Sequence, residues 1–390
     1  MGHKVYMMMG GWVMAMALMV QPAQAQEKPA TLEDRLHFME EKVQSMEGLL
    51  GISLSGFVDV YYNYAFEDPA QAPLAELPIR AFDAEANEFS LSLAELVIHK
   101  APSPAGFRID LNYGPTADLT HAFEPSGTPE IQKHIQQAFV TYVAPLGKGL
   151  TIDAGKFVTH MGLEVIESKD NWNYSRGLLF TWAIPFYHAG IRASYPVADG
   201  VTFTLLGVNG WNNVDENFDG KSLGAQLIVT AIPKVTFVQN AIWGSEAGAN
   251  MQRHVYDTII ILNATDKLSF ALNFDIGMDD TPGITAGDSS WYGLAGYGRL
   301  AVTDTAAISV RGEWFKDTDG FATGFLLPVA SAQTLAEVTV TGEIKLGGNL
   351  LTRLEYRHDW SNKGAGPFFE SDGTPANQQD TITLGAVYTF

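Results

Sequence analysis

No cysteine occurs among the 390 residues, which removes disulfides, thiol catalysis and thiolate metal sites together. Positive charge is scarce. Against 44 Asp and Glu there are 24 Lys and Arg, a net charge of −20, which argues against nucleic acid as a partner because phosphate binding needs a basic surface. Beyond the N-terminus no stretch approaches roughly 18 uninterrupted apolar residues, so no helical membrane span is expected. No nucleophile motif is present. His160, Ser168 and Asn171 share one segment, but with 9 histidines and many serines in the chain their proximity is coincidence, and no catalytic residue is expected. Nothing implies a cofactor.

The N-terminus is the first positive signal. Lys4, the apolar run from Met14 to Val20, and Ala23-Gln24-Ala25 form a secretory signal peptide over residues 1–25, cleaved before Gln26. The apolar run falls short of the roughly 20 residues that span a bilayer, and Pro22 interrupts it. Residues 26–51 follow a different rule. Leu32, Leu36, Met39, Val43, Met46 and Leu50 recur at alternating spacings of four and three behind Thr31 as a cap, predicting a short helical coiled-coil segment in the periplasm. It either lies on the mouth of the following domain or joins copies into a homotrimer.

From residue 52 to 390 the period drops to two. Leu268, Phe270, Leu272, Phe274 and Ile276 alternate with Ser269, Ala271, Asn273, Asp275 and Gly277, and Phe107 to Tyr113 behaves alike. Connections between these segments are alternately very short (Pro145–Gly149, Val197–Gly200, Gly347–Asn349) and long and polar (near 67–86, 114–133, 160–185 and onwards). Short turns at one rim and long loops at the other predict an all-β fold: a transmembrane antiparallel β-barrel of about 16 strands with both ends on the short-turn side. Phe89 and Leu91 are out of phase with Ala94, Leu96 and Ile98, so the second strand should carry a bulge or hide Leu93 inside. The chain ends Thr383-Leu384-Gly385-Ala386-Val387-Tyr388-Thr389-Phe390. Gly385, Tyr388 and Phe390 resemble the assembly signal that bacterial outer-membrane barrels present to the barrel assembly machinery. Ile382, Leu384, Ala386, Tyr388 and Phe390 fall on one face, towards outer-membrane lipid and lipopolysaccharide, with the aromatics at the interface.

A more specific resemblance lies in Gly155-Lys156-Phe157, Met161-Gly162-Leu163-Glu164-Val165-Ile166-Glu167, Asn171-Trp172-Asn173-Tyr174-Ser175-Arg176 and Ile184-Pro185-Phe186-Tyr187-His188-Ala189-Gly190. With Val208-Asn209-Gly210-Trp211-Asn212-Asn213 and the C-terminus, these segments resemble the OmpL-like β-barrel porin family. The resemblance implies an outer-membrane barrel with a passive pore and fixes no solute. The heptad segment is similar, more weakly, to that of phosphate-selective porins.

Alternation places charge inside. Arg108, Asp110, Arg192, Arg299, Arg311, Glu313, Arg353, Glu355 and Arg357 all fall on the inner face, where charge is tolerable only beside water or a partner. They are the expected pore wall. The segment from Met161 to Pro185 is unusually aromatic for a water-exposed loop, so it should fold into the lumen, setting Glu164, Glu167, Asp170 and Arg176 opposite the arginines across a constriction. Asp215, Asn217 and Asp219 copy half of a calcium loop without its closing acid, a weak metal candidate better read as an acidic surface loop. The expected function is a porin for small hydrophilic solutes. The rivals are an anion- or phosphate-selective porin, a receptor or adhesin with a plugged lumen and, least supported, a barrel enzyme.

Overall fold

The computed structural model describes residues 48, 50–67, 77–122, 124, 129–215, 220–246, 251–281, 288–324, 332–364 and 366–390. The signal-peptide and coiled-coil expectations therefore lie outside the described residues. Residues 52–390 form one compact unit.

Sixteen strands close into an antiparallel barrel in which the first pairs with the last. They are β1 (Ser53–Ala65), β2 (Phe89–Lys100), β3 (Ala105–Tyr113), β4 (Ile135–Ala144), β5 (Leu150–Val158), β6 (Tyr187–Ala198), β7 (Val201–Val208) and β8 (Ser222–Val229). The second half comprises β9 (Val235–Ser245), β10 (Gln252–Asn263), β11 (Leu268–Asp279), β12 (Ser289–Ala301), β13 (Ala306–Asp317), β14 (Gln333–Leu346), β15 (Leu350–Ser361) and β18 (Gln378–Thr389). The last long loop holds a two-stranded hairpin, β16 (Phe368–Phe369) with β17 (Pro375–Ala376). Closure leaves no free sheet edge, which is what lets strands sit in lipid. Among the described residues no helix is long and apolar enough to cross a membrane.

Strand alternation sets the two faces. Along β11, Phe270, Leu272 and Phe274 are exposed on the outside while Ala271, Asn273 and Asp275 are buried inside. At the C-terminus Leu384, Tyr388 and Phe390 are exposed, and the backbone of Phe390 exchanges two 3.0 Å hydrogen bonds with Gly56, finishing the seam. The irregularity expected in β2 takes both forms at once. The register against β1 shifts between Asp59 and Val60, and the consecutive residues Ser92 and Leu93 both point inward, 1% and 0% exposed. An extra residue in one strand turns two neighbours to the same side.

Three long loops enter the lumen. The described part of the loop between β1 and β2 places Ile79 and Phe82 in the interior apolar cluster and pairs Arg80 with Asp359 at 3.3 Å. The loop between β3 and β4 forms helix α1 (Pro115–Thr120), which lies against β2 and β3. The loop between β5 and β6, residues 159–186, carries helix α2 (Leu178–Trp182) against β12, β13 and β14. Met161, Ile166, Leu178, Leu179, Phe180 and Phe186 from the latter loop are buried in the main apolar cluster of the interior. Inside the barrel those side chains leave water, worth about 25 cal/mol per Å² of apolar surface.

Candidate pore and its inner loop

The inward loop rests on one wall, and charged strand residues hold it there. Arg311 of β13 donates to Glu164 Oε1 at 2.7 Å and to the Ser175 carbonyl at 2.6 Å, while its Nε pairs with Glu337 at 2.9 Å. On β15, Arg353 donates to the Asn171 carbonyl at 2.6 Å and pairs with Glu343 at 2.8 Å. Arg357 donates to the Arg176 carbonyl at 2.8 Å and pairs with Asp359 at 2.7 Å. Carboxylates serve the loop's N–H groups in the same way. Glu355 accepts from the Tyr174 and Ser175 amides at 2.6 and 3.0 Å, Glu313 from the Leu178 amide, and Asp257 from Gly162 at 3.0 Å. Asp59 on β1 accepts from the Ser168 and Tyr174 hydroxyls at 2.6 and 2.8 Å. An irregular backbone at membrane depth must find such partners, since no bulk solvent serves it there.

This corrects the expected constriction. Arg311, Arg353 and Arg357 do not face the loop's acids across water; they lie beneath the loop, 0%, 2% and 1% exposed, with Glu313 and Glu355 buried beside them. Arg176, also expected in the pore, is 3% exposed and donates to the Tyr174 carbonyl at 3.0 Å. The physical reason is stoichiometric: an arginine with several donors is better satisfied by loop carbonyls and two carboxylates in direct contact than by facing them through solvent. Arg299 stands apart, pairing with Glu343 at 2.6 Å while its side chain keeps 23% of its surface.

The remaining expected residues gather on the opposite side. A cavity of about 780 Å³ at the short-turn end is lined by Glu95, His99, Arg108, Glu167, Lys169 and Arg192, among others, and includes Asp170. Arg108 pairs with Asp110 at 2.9 Å, Arg192 with Asp153 at 2.8 Å and Lys169 with Asp170 at 2.6 Å. Val158 and Glu167 are shared with a second cavity of about 80 Å³, lined by His160 and Met161. Phe186 is shared in turn with a third, at the long-loop end. Three cavities thus follow one another beside the loop, the outermost also lined by Arg253 of β10 and Trp291 of β12.

Several contributors carried no signal as site residues. Asp59, Asp257 and Thr341, which accepts from Asn173 at 2.7 Å, are ordinary inward positions in the alternation. Gly385, read as part of a terminal signal, faces the lumen, and a Cβ there would collide with the Tyr174 ring of the loop. Of the calcium candidate only Asp215 is described, and it is exposed; Asn217 and Asp219 lie outside the described residues. Among the described residues no cluster could hold a metal ion.

Known structures share this architecture. The anion-selective porin from Comamonas acidovorans superposes with a TM-score of 0.57 at 9% identity, covering 87% of this chain and 99% of that one. The outer membrane channel DcaP of Acinetobacter baumannii gives 0.56 at 12% identity, covering 87% and 97%. The trimer form of OmpT, an outer membrane protein of Vibrio cholerae, gives 0.55 at 10%, covering 87% and 99%. At such identities the likeness is one of fold. No curated protein matches the sequence. Residues 51–390 match the family described as Putative beta-barrel porin-2, OmpL-like, and the chain belongs to that family.

Proposed function

We propose that the protein is an outer-membrane porin for small hydrophilic solutes, with the loop between β5 and β6 setting its narrowest passage. The observation that carries this is the placement of that loop: held to β10–β15 and β1, it leaves beside it a succession of cavities that share lining residues from one rim to the other. Charge pairs at the water-exposed wall (Arg108 with Asp110, Arg192 with Asp153) suit polar solutes, and opposed charges in a narrow lumen order water and disfavour apolar ones. The arginine cluster lends no support to anion selectivity, because its charge is spent on buried carboxylates and loop carbonyls. Export by the N-terminal signal, insertion by the barrel assembly machinery, contact with lipopolysaccharide, and trimer formation through the heptads of residues 26–51 belong to the same proposal. Replacing Leu36 and Val43 by Asp should then lower the native mass of the assembly without unfolding the barrel.

One observation favours a second reading. The middle and outer cavities hold only about 80 and 60 Å³, so a receptor barrel plugged by its own loop is the rival. Planar-bilayer recording in a salt gradient separates them. Stepwise currents with a defined reversal potential support the pore; a protein that inserts and never conducts is the plugged receptor.

A further inference from the structure

The large cavity at the short-turn end, about 780 Å³, is unevenly matched in charge. The arginines and Lys169 on its wall have carboxylates of their own. Arg108 Nε–H donates to both oxygens of Asp110 at 2.9 Å, Arg192 pairs with Asp153 at 2.8 Å and Lys169 with Asp170 at 2.6 Å. Glu95 and Glu167 line the same cavity. Among the described residues neither has a basic side chain within ion-pair distance. Glu95 is 5% exposed, and its Oε2 is buried with no hydrogen-bond partner among the described residues. Glu167 meets only a neutral donor, the side-chain amide of Gln136, at Oε1. The charges that bear most on Glu95 are those of Glu167 and Asp110, both of its own sign. A buried carboxylate without a cation or a donor is costly, so it marks a place where a positive group is missing.

Strand geometry puts this deficit at the inner end of the cavity. In the β2–β3 register Glu95 lies opposite Asn112, Val97 opposite Asp110 and His99 opposite Arg108, and alternate residues share the inner face. His99 and Arg108 therefore stand nearer the short-turn rim, with Glu95 about 13 Å further in at roughly 3.3 Å per residue. Glu167 reaches the same level from the inward loop: Gln136, which donates to it, accepts in turn from Asn112, the residue opposite Glu95. The chemistry of the missing group follows. Among the described residues no group of three ligating side chains could hold a metal ion, and two carboxylates serve a hard cation poorly. A primary ammonium carries its charge on several N–H donors, which can be divided between Glu95 and Glu167. Val97, Val158 and Leu351 give the cavity an apolar wall for a hydrocarbon stem.

We propose that Glu95 and Glu167 form a capture site for small alkylammonium cations, holding the primary ammonium between the two carboxylates with its stem in the cavity. Capture needs no conductance; only the passage of the captured cation rests on the porin reading. The test is a calorimetric titration of the intact barrel in detergent with n-butylammonium, and separately with n-butyltrimethylammonium, potassium and butyrate at matched ionic strength. Butylammonium should bind saturably, at least tenfold tighter than its quaternary analogue, which has the charge without the N–H donors. Glu95→Gln and Glu167→Gln, which keep volume and remove charge, should each weaken it at least tenfold. Heat-modifiable gel mobility confirms that each variant is assembled. No saturable binding of butylammonium, equal binding of the quaternary cation or of potassium, preference for butyrate, or binding indifferent to Glu95→Gln would overturn the proposal. Bilayer recording runs alongside: channels in a protein that does not bind butylammonium refute the capture site alone, and binding without channels refutes the pore alone.

Discussion

Arg311 on β13 and Arg108 on β3 both point into the barrel by the same alternation, yet Arg311 is wholly buried while the Arg108 side chain keeps 39% of its surface. Each has a carboxylate partner at 2.9 Å. The difference is the loop. Over β13–β15 it lies directly on the charges and turns them into anchors; over β2–β6 it touches Gln136 and His188 but leaves Arg108 and Arg192 on the wall of a cavity. One residue type in one strand position therefore has two functions, decided by what covers it.

Breaking the anchored side should have the largest effect. Arg311→Ser with Arg353→Ser leaves Glu164 and Glu337 without their closest cation and Glu343 with Arg299 alone, and unpairing a buried charge costs about 3–5 kcal/mol. The loop should become cleavable by added protease, and single-channel current should rise. Unchanged protection and unchanged current would mean that the arginines do not hold it. Gly385→Ala tests the same seat sterically, through the collision with Tyr174. Overpacking of this kind costs about 1–3 kcal/mol, to be read as a lower unfolding temperature of the assembled barrel.

The exposed side should respond in the opposite sense. Arg108→Ser should change stability by no more than about 1 kcal/mol, since a part-exposed pair contributes little. It should instead move the reversal potential towards cations by leaving Asp110 unbalanced beside the cavity. A loss of stability without a change in selectivity would erase the contrast between the two walls. The smallest effect concerns α1. Burial, and then the Lys156 ammonium beside it, hold the His121 imidazole down to about 4. Its neutral form is the one the fold accepts, so nothing is lost above the unfolded value of 6.5, and seating of α1 should weaken as pH falls from there through 4. Faster amide exchange confined to residues 115–122 over that range would register it.

These contrasts also mark what sequence could and could not convey. Alternation, turn lengths and the terminal aromatic strand made the barrel, its strand number and the disturbance at Leu93 legible, because each is a local consequence of strand geometry. The inward course of the 159–186 loop was legible too, because its aromatics had no other shelter. The roles of Arg311, Arg353 and Arg357 were not: periodicity reports which face a side chain takes and is silent about a loop 136 to 185 residues away that comes to lie on it. Asp59 and Thr341 were invisible for the same reason. Gly385 stood out, but as part of a terminal pattern, with nothing to connect it to Tyr174.

Thiol accessibility tests the two-wall arrangement most directly, and a chain without cysteine offers a clean background for it. His99→Cys places a thiol on the wall of the large cavity, whereas Thr341→Cys places one under the loop, where the native residue is 0% exposed. With the protein conducting in a planar bilayer, a charged thiol-reactive reagent should reduce the current of His99→Cys within seconds to minutes and leave Thr341→Cys untouched. Block at Thr341→Cys with none at His99→Cys would place the open path on the arginine side and contradict the account.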